Sequence, residues 1–202
     1  ISSGLTTVTY TLPTGCITTR LITVNAVPPP IYGVSSICHG GTTTLSDLAP
    51  GGIWNSSDPT KAFINSTTGD VVGVSPGTVA ISYTIIGLSS CPALLSFTVN
   101  PLPAPIIGNT TACIGLITTL SDADAGGAWS SSNPGVAFIG PTSGFLTGVT
   151  AGSVIITYTL PTGCAITRPQ IVNPTPVAIA GPARVCEGLT VTLSDATPGG
   201  IW

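Results

Sequence analysis

Charge is nearly missing from this chain of 202 residues: four Lys or Arg and seven Asp or Glu leave a net charge of -3. Binding to a phosphate backbone needs clustered cations, so nucleic acid is not expected as a partner. Methionine is absent altogether, and no basic segment followed by an apolar one opens the chain. Ile1 is therefore not expected to be a natural translation start, and the chain reads as a window cut from something longer. No apolar run approaches the roughly 20 residues needed to cross a bilayer, because Thr, Ser, Gly or Pro interrupts every hydrophobic segment. No transmembrane segment is expected. With His39 the sole histidine, reading the cysteines as zinc ligands is excluded, and no cofactor or metal is expected.

What is present is 43% hydrophobic, with 25 glycines and 19 prolines among many Thr and Ser. That is a β-forming, turn-rich composition. It is also repetitive. "YTLPTGC" occurs at residues 10–16 and again at 158–164, and "ISYTIIGLSSC" at 81–91 is a diverged copy halfway between. "TLSDLAPGGIW", "TLSDADAGGAW" and "TLSDATPGGIW" place Trp54, Trp129 and Trp202 at intervals of 75 and 73. A third anchor is "GDVVGVSPGT" at 69–78, matched by "GFLTGVTAGS" at 144–153. The period is about 74 residues, and both termini fall inside a unit. The expected organisation is the end of one repeat (1–27), two whole repeats (28–102 and 103–175) and the start of another (176–202).

Within a unit the periodicity is that of strands. Val154, Ile156, Tyr158 and Leu160 alternate with Ile155, Thr157 and Thr159, and Val8, Tyr10 and Leu12 alternate with threonines, giving one buried and one solvent face. Turn signals separate short strands expected near 106–113, 117–121, 128–131, 136–139, 145–149, 154–160 and 165–172. Seven strands in a unit of this size predict an all-β fold of tandem immunoglobulin-like β-sandwiches. The tryptophan opening the third strand is expected between the sheets. Of the 11 aromatic residues, Tyr32 is the one that strays from repeated, core-like positions. Between units, "VNAVPPP", "VNPLPAP" and "VNPTPVA" predict short, semi-rigid linkers.

The motifs W-x-S-S-[ND]-P (54–59, 129–134) and G-x-[LV]-x-G-V-x-[AP]-G-[TS] (69–78, 144–153), with a Cys before the second strand, resemble bacterial immunoglobulin-like repeats. These are of the group-2 and PKD-like kind, in tandem in giant secreted surface proteins, especially of Bacteroidota. The resemblance covers essentially the whole chain. It implies an extracellular, secreted or cell-surface location and a role in a filament, stalk or adhesin. Two features depart from the pattern: Lys61 and Ala62 after Trp54, and a loop before Cys91 that is two residues longer than its equivalents.

Six cysteines come two per repeat: Cys16, Cys38, Cys91, Cys113, Cys164 and Cys186. Their even number and regular placement predict structural disulfides. Cys16 and Cys38, Cys91 and Cys113, and Cys164 and Cys186 are each 22 residues apart, whereas within a repeat the spacings are 53 and 51. In a standard immunoglobulin topology the within-repeat pair sits at opposite ends of the sandwich, beyond the roughly 7 Å limit between Cα atoms. The 22-residue pairing is favoured. It would clamp each linker, laying the last strand of one unit beside the first of the next. Within-repeat bridges and bonds between chains stay open, and either intrachain bridge would contribute roughly 3 to 4 kcal/mol.

No catalytic constellation is visible. His39 has Ile114 and Glu187 at its repeat equivalents and reads as a surface loop residue, so no enzyme is expected. Asp47, Asp122 and Asp195 recur singly, as turn caps do, while calcium would need several carboxylates. Asn55, Asn65 and Asn109 lie in N-glycosylation sequons. The neutral faces predict packing against other repeats of the chain or other copies of it. The expected function is a structural repeat segment of a long extracellular array. The alternatives are a glycan- or host-surface-binding module, which would show an exposed aromatic cluster, and a passive spacer in a secreted enzyme.

Overall fold

A computed structural model describes residues 2–85 and 91–202. The lengthened loop before Cys91 lies outside the described residues. The chain divides into two compact units, Ile1–Leu102 and Pro103–Trp202.

The first unit begins with an antiparallel hairpin of β1 (Gly4–Thr11) and β2 (Ile17–Val24). A sandwich follows, built from β3 (Ser36–Cys38), β4 (Thr42–Thr44), β5 (Gly52–Ser56), β6 (Ala62–Ile64), β7 (Asp70–Gly73), β8 (Gly77–Ile85) and β9 (Ala93–Asn100). One sheet has the order β3-β9-β8-β5 and the other β4-β7-β6. The second unit repeats this with β10 (Thr111–Cys113), β11 (Ile117–Thr119), β12 (Ala128–Ser131), β13 (Ala137–Ile139), β14 (Phe145–Gly148), β15 (Gly152–Thr159) and β16 (Ala165–Asn173). Its sheets are β10-β16-β15-β12 and β11-β14-β13. No helix occurs among the described residues. The all-β, immunoglobulin-like sandwich read from the sequence is the fold observed.

Alternation does the sorting in each sandwich. Along β15, Val154, Ile156 and Tyr158 are buried and Ile155 is exposed; along β8, Val79, Ile81 and Tyr83 are buried. Leu120, Trp129, Ala137, Ile139 and Leu146 complete the second core, and Leu45, Trp54, Ala62, Ile64 and Val71 occupy the same places in the first. The hairpin β1–β2 has the same alternation, yet Val8, Tyr10 and Leu12 are exposed, with no second sheet among the described residues paired to it. At the other end, Ala180 pairs with Ser194 as Tyr32 does with Ser46 and Ile107 with Ser121, but no strand forms.

Two expectations need correction. The strand expected over 106–113 is confined to Thr111–Cys113, with Ile107 held only by its single bridge to Ser121. Gly108, at φ 128, breaks the extended path there, and a Cβ on it would press against the Thr119 carbonyl. The second correction concerns the partner of the first strand of each sandwich. That strand pairs in parallel with the last strand of its own sandwich, β3 with β9 and β10 with β16.

Candidate functional site

The duplicated heptapeptide is a hairpin turn. Leu160 N–H donates to the Cys164 carbonyl (2.8 Å) and Gly163 N–H to the Leu160 carbonyl (2.9 Å); Leu12, Gly15 and Cys16 reproduce both bonds at the same lengths. Proline supplies the fixed φ at the start of the turn, and Gly15 and Gly163, at φ 85 and 86, take the left-handed position that closes it. The turn ends on a cysteine at one pole of the sandwich. The same pole holds the start of the second whole repeat, since Ala104 N–H is bonded to Asp124 Oδ2 (2.8 Å) in the turn before β12. We call it the leading pole.

The other cysteine of each repeat sits at the trailing pole. Cys113 is paired with Asn173 and Cys38 with Asn100, at the ends of β16 and β9. Cys164 lies nine residues before Asn173 and Cys91 nine before Asn100. At about 3.3 Å per residue the two cysteines of one sandwich are about 30 Å apart, far beyond disulfide reach. Of the six, Cys16, Cys91, Cys113 and Cys186 are free thiols, whereas Cys38 and Cys164 are disulfide-bonded. The 22-residue pairs are therefore not joined in the structure. Cys164 is fully buried; Cys113 and Cys91 are half-buried.

A tryptophan–tyrosine pair anchors the leading pole. Trp129 and Tyr158 stack with ring centroids 4.6 Å apart at 45°, and Trp54 and Tyr83 at 4.6 Å and 47°. All four rings are buried, as expected for Trp54 and Trp129, whereas Trp202 is exposed. The tyrosine hydroxyl closes the turn that precedes each tryptophan. Tyr158 Oη donates to the Asp124 carbonyl (2.6 Å) and accepts from Gly127 N–H (2.9 Å); Tyr83 Oη does the same with Ala49 and Gly52 at the same lengths. This explains the second glycine of the G-G-x-W motif. A Cβ on Gly127 would lie 2.7 Å from Tyr158 Cε1, and one on Gly52 would meet the Tyr83 ring.

The recurring aspartates cap turns as expected. Asp47 Oδ1 accepts from Ala49 N–H (2.8 Å), Asp122 Oδ1 from Asp124 N–H (2.9 Å) and Asp195 Oδ1 from Thr197 N–H (2.6 Å). His39 is an exposed turn residue. Of the sequon residues, Asn55 and Asn109 are exposed, while the Asn65 side chain accepts from Thr67 and Thr68 N–H groups and is spent on its own turn. Two other aspartates are held below the ordinary carboxylate range. A hydrogen bond from Thr60, with smaller help from Lys61, lowers Asp58; Thr44 and Thr68 hydroxyls, each 2.6 Å away, lower Asp70.

Sequence reasoning missed two features. Arg168, on β16, donates to the carbonyls of Ile106 (3.1 Å), Gly108 (3.0 Å) and Asn109 (2.9 Å) and to Gln170 Oε1 (3.2 Å), fastening the segment that leads into β10. The signal was there: Arg20 and Arg168, two of four cations, each fall four residues after a cysteine. The second feature corrects the view that Tyr32 alone strays among the aromatics. Phe63, Phe138 and Phe145 are each about half exposed on the outer face of the three-stranded sheet. There Phe138, Thr147 and Ile117 form one cross-strand row, and Phe63, Val72 and Thr42 the matching row in the first sandwich.

Fold and geometry together define a protein of tandem immunoglobulin-like sandwich repeats with cysteines at both poles. No protein-family model matches the chain. The chain is 34% identical over 134 residues to "Ice-binding protein 1" of Shewanella frigidimarina (strain NCIMB 400), covering 58% of this chain and 15% of that protein. It thus spans a small part of the length of that relative. Among solved structures it is similar to a 282-residue C-terminal fragment of intimin in complex with the intimin-binding domain of the translocated intimin receptor. That match has a TM-score of 0.46 and 16% identity, over 77% of this chain and 67% of the fragment. It is also similar to the S-layer protein rSbsC (0.33, 14%, over 96% and 44%) and to mouse cadherin-23 EC22-24 (0.34, 11%, over 75% and 68%). No helix among the described residues is long and apolar enough to cross a membrane.

Proposed function

We infer that this chain is a structural segment of a secreted or surface-displayed bacterial array, in which sandwich repeats serve as the building units of a filament, stalk or adhesin shaft. The observation that carries this reading is the outer face of the three-stranded sheet. Phe63 and Phe138, 75 residues apart in sequence, are about half exposed at the same place on successive sandwiches, each in a cross-strand row with one aliphatic residue and one threonine, the first row flanked by Lys61 and Asp70 and the second by no charged residue of its strands. A lone soluble domain keeps such faces polar; a face of this kind repeated along a chain suits lateral packing against other copies or other repeats. We assign no enzymatic role to this segment, whose single histidine, His39, has Ile114 and Glu187 at its repeat equivalents.

The match to a protein named for ice binding covers only a small part of that protein, and we assign the shared stretch to the structural repeats. Electron cryo-microscopy of the native secreted protein tests the proposal. Regular fibres with the outer sheet faces buried between sandwiches are expected. Isolated chains with those faces in solvent would overturn the packing role and leave a spacer.

A further inference from the structure

We propose that Arg168 is a mechanical latch of the second sandwich: its guanidinium ties the segment by which the chain enters the sandwich to the strand by which it leaves, so that tension along the chain is met in shear. The proposal rests on the structural reading above and extends it to how one sandwich carries load.

The chain enters this sandwich at the leading pole, where Ala104 N–H is bonded to Asp124 Oδ2, and runs toward the trailing pole over residues 104–113. The end of that segment, β10, lies parallel to β16, with Thr111 opposite Ile171 and Cys113 opposite Asn173. Beyond Asn173, at the trailing pole, the chain leaves. Tension therefore draws residues 104–113 toward one pole and β16 toward the other. Parallel neighbours drawn in opposite directions slide past each other, so the bonds between them are strained together and do not open one at a time from an end. The backbone supplies few such bonds, because β10 has only three residues. Ile171 N–H donates to the Thr110 carbonyl and Ile114 N–H to the Asn173 carbonyl, each at 3.0 Å. Arg168, three residues before Ile171, adds the carbonyls of Ile106, Gly108 and Asn109, at 3.1, 3.0 and 2.9 Å. Hydrogen bonds from a charged donor are the stronger kind. These three lie ahead of the backbone pairs on the path by which tension enters.

A static role explains Arg168 poorly. Arg168 and Gln170 stand where β9 of the first sandwich has Leu95 and Phe97, and Phe97 is fully buried. Gln170 is fully buried too, and both its Nε2 and the Arg168 Nε are buried without a partner. Unpaired donors of this kind are costly in a core, and the first sandwich builds the same strand from apolar residues. What an arginine supplies and a leucine does not is a tie from β16 to residues 106–109. Gln170 serves the same tie, since its Oε1 accepts from Arg168 Nη2 at 3.2 Å and holds the guanidinium in place.

Constant-force extension of the whole chain in reducing buffer, held at its ends, tests this alongside urea titration of the same proteins. The parent is compared with Arg168→Leu and with the double variant Arg168→Leu/Gln170→Phe, which copies the first sandwich. The double variant should regain urea stability relative to the single one. Its second-sandwich event at constant force should nevertheless come at least about tenfold sooner than the parent's, as in the single variant. The first-sandwich event should not move, which identifies the event that does. Lifetimes within about twofold of the parent in both variants would overturn the latch, as would a double variant whose lifetime recovers in step with its urea stability. Discrete events with unchanged lifetimes would sink the latch alone, whereas smooth extension of the parent with no discrete event would sink the structural reading with it.

Discussion

Replacing Tyr158 by Phe isolates the hydroxyl that closes the turn before Trp129, because the ring and its stacking remain. The hydroxyl makes two bonds, 2.6 Å to the Asp124 carbonyl and 2.9 Å from Gly127 N–H, at a part-buried site. Removing it leaves a donor and an acceptor with only partial access to water, which costs about 1 to 3 kcal/mol. A sandwich of this size has roughly 4 to 10 kcal/mol in total, so the loss is a large fraction. At about 4 to 8 °C per kcal/mol, the melting transition of the second sandwich should fall by roughly 5 to 20 °C. Calorimetry of the whole chain is the assay, with Tyr83→Phe expected to move the other transition by the same amount. Tyr10 is the internal control: it occupies the same place in the repeat but is 66% exposed, and Tyr10→Phe should be neutral. A Tyr158→Phe transition within about 1 °C of the parent would refute the reasoning.

Gly127→Ala should destabilise the second sandwich by about 1 to 3 kcal/mol in urea titration, since its Cβ would press on Tyr158 and the Thr159 carbonyl; the repeat-equivalent Gly200, with open space around it, should tolerate Ala. Acid should weaken the first sandwich preferentially. Asp58 and Asp70 are depressed below 3.8 in the folded state, so their stabilisation is complete above that value and lost as pH falls through the folded values. The second sandwich has Asn133 and Phe145 at those positions, so Trp54 emission should report the acid transition before Trp129 emission does. Arg168→Leu should lower the stability of the second sandwich by about 1 to 3 kcal/mol by stranding three carbonyls. Adding Gln170→Phe, which copies Leu95 and Phe97 of the first sandwich, should recover part of that loss in the same titration, because Gln170 Nε2 is buried without a partner. The chain should show no thermal hysteresis in ice-growth measurements; a clear activity would favour a ligand-binding role instead.

The repeat and its strands were legible because alternation survives in every copy: Val154, Ile156 and Tyr158 declare their buried face without help from the rest of the chain. The tryptophans were legible for the same reason. What could not be read was set by contacts between distant residues. The parallel pairing of β10 with β16 joins segments about sixty residues apart, and it is this pairing that places Cys113 at the pole opposite Cys164. The hydroxyl of Tyr158 meets a turn 34 residues away. Spacing alone favoured the 22-residue cysteine pairs because counting residues along a chain says nothing about which pole a strand end occupies. The half-exposed Phe63 and Phe138 sit on three-residue strands, too short for alternation to reveal which side faces outward.

Single-molecule force spectroscopy on the whole chain, held at its ends, tests the structural role most directly. In reducing buffer two discrete unfolding events are expected, one per sandwich, each releasing about 25 nm for about 74 residues. A reduced chain that lengthens smoothly with no discrete events would contradict a structural array built from these sandwiches.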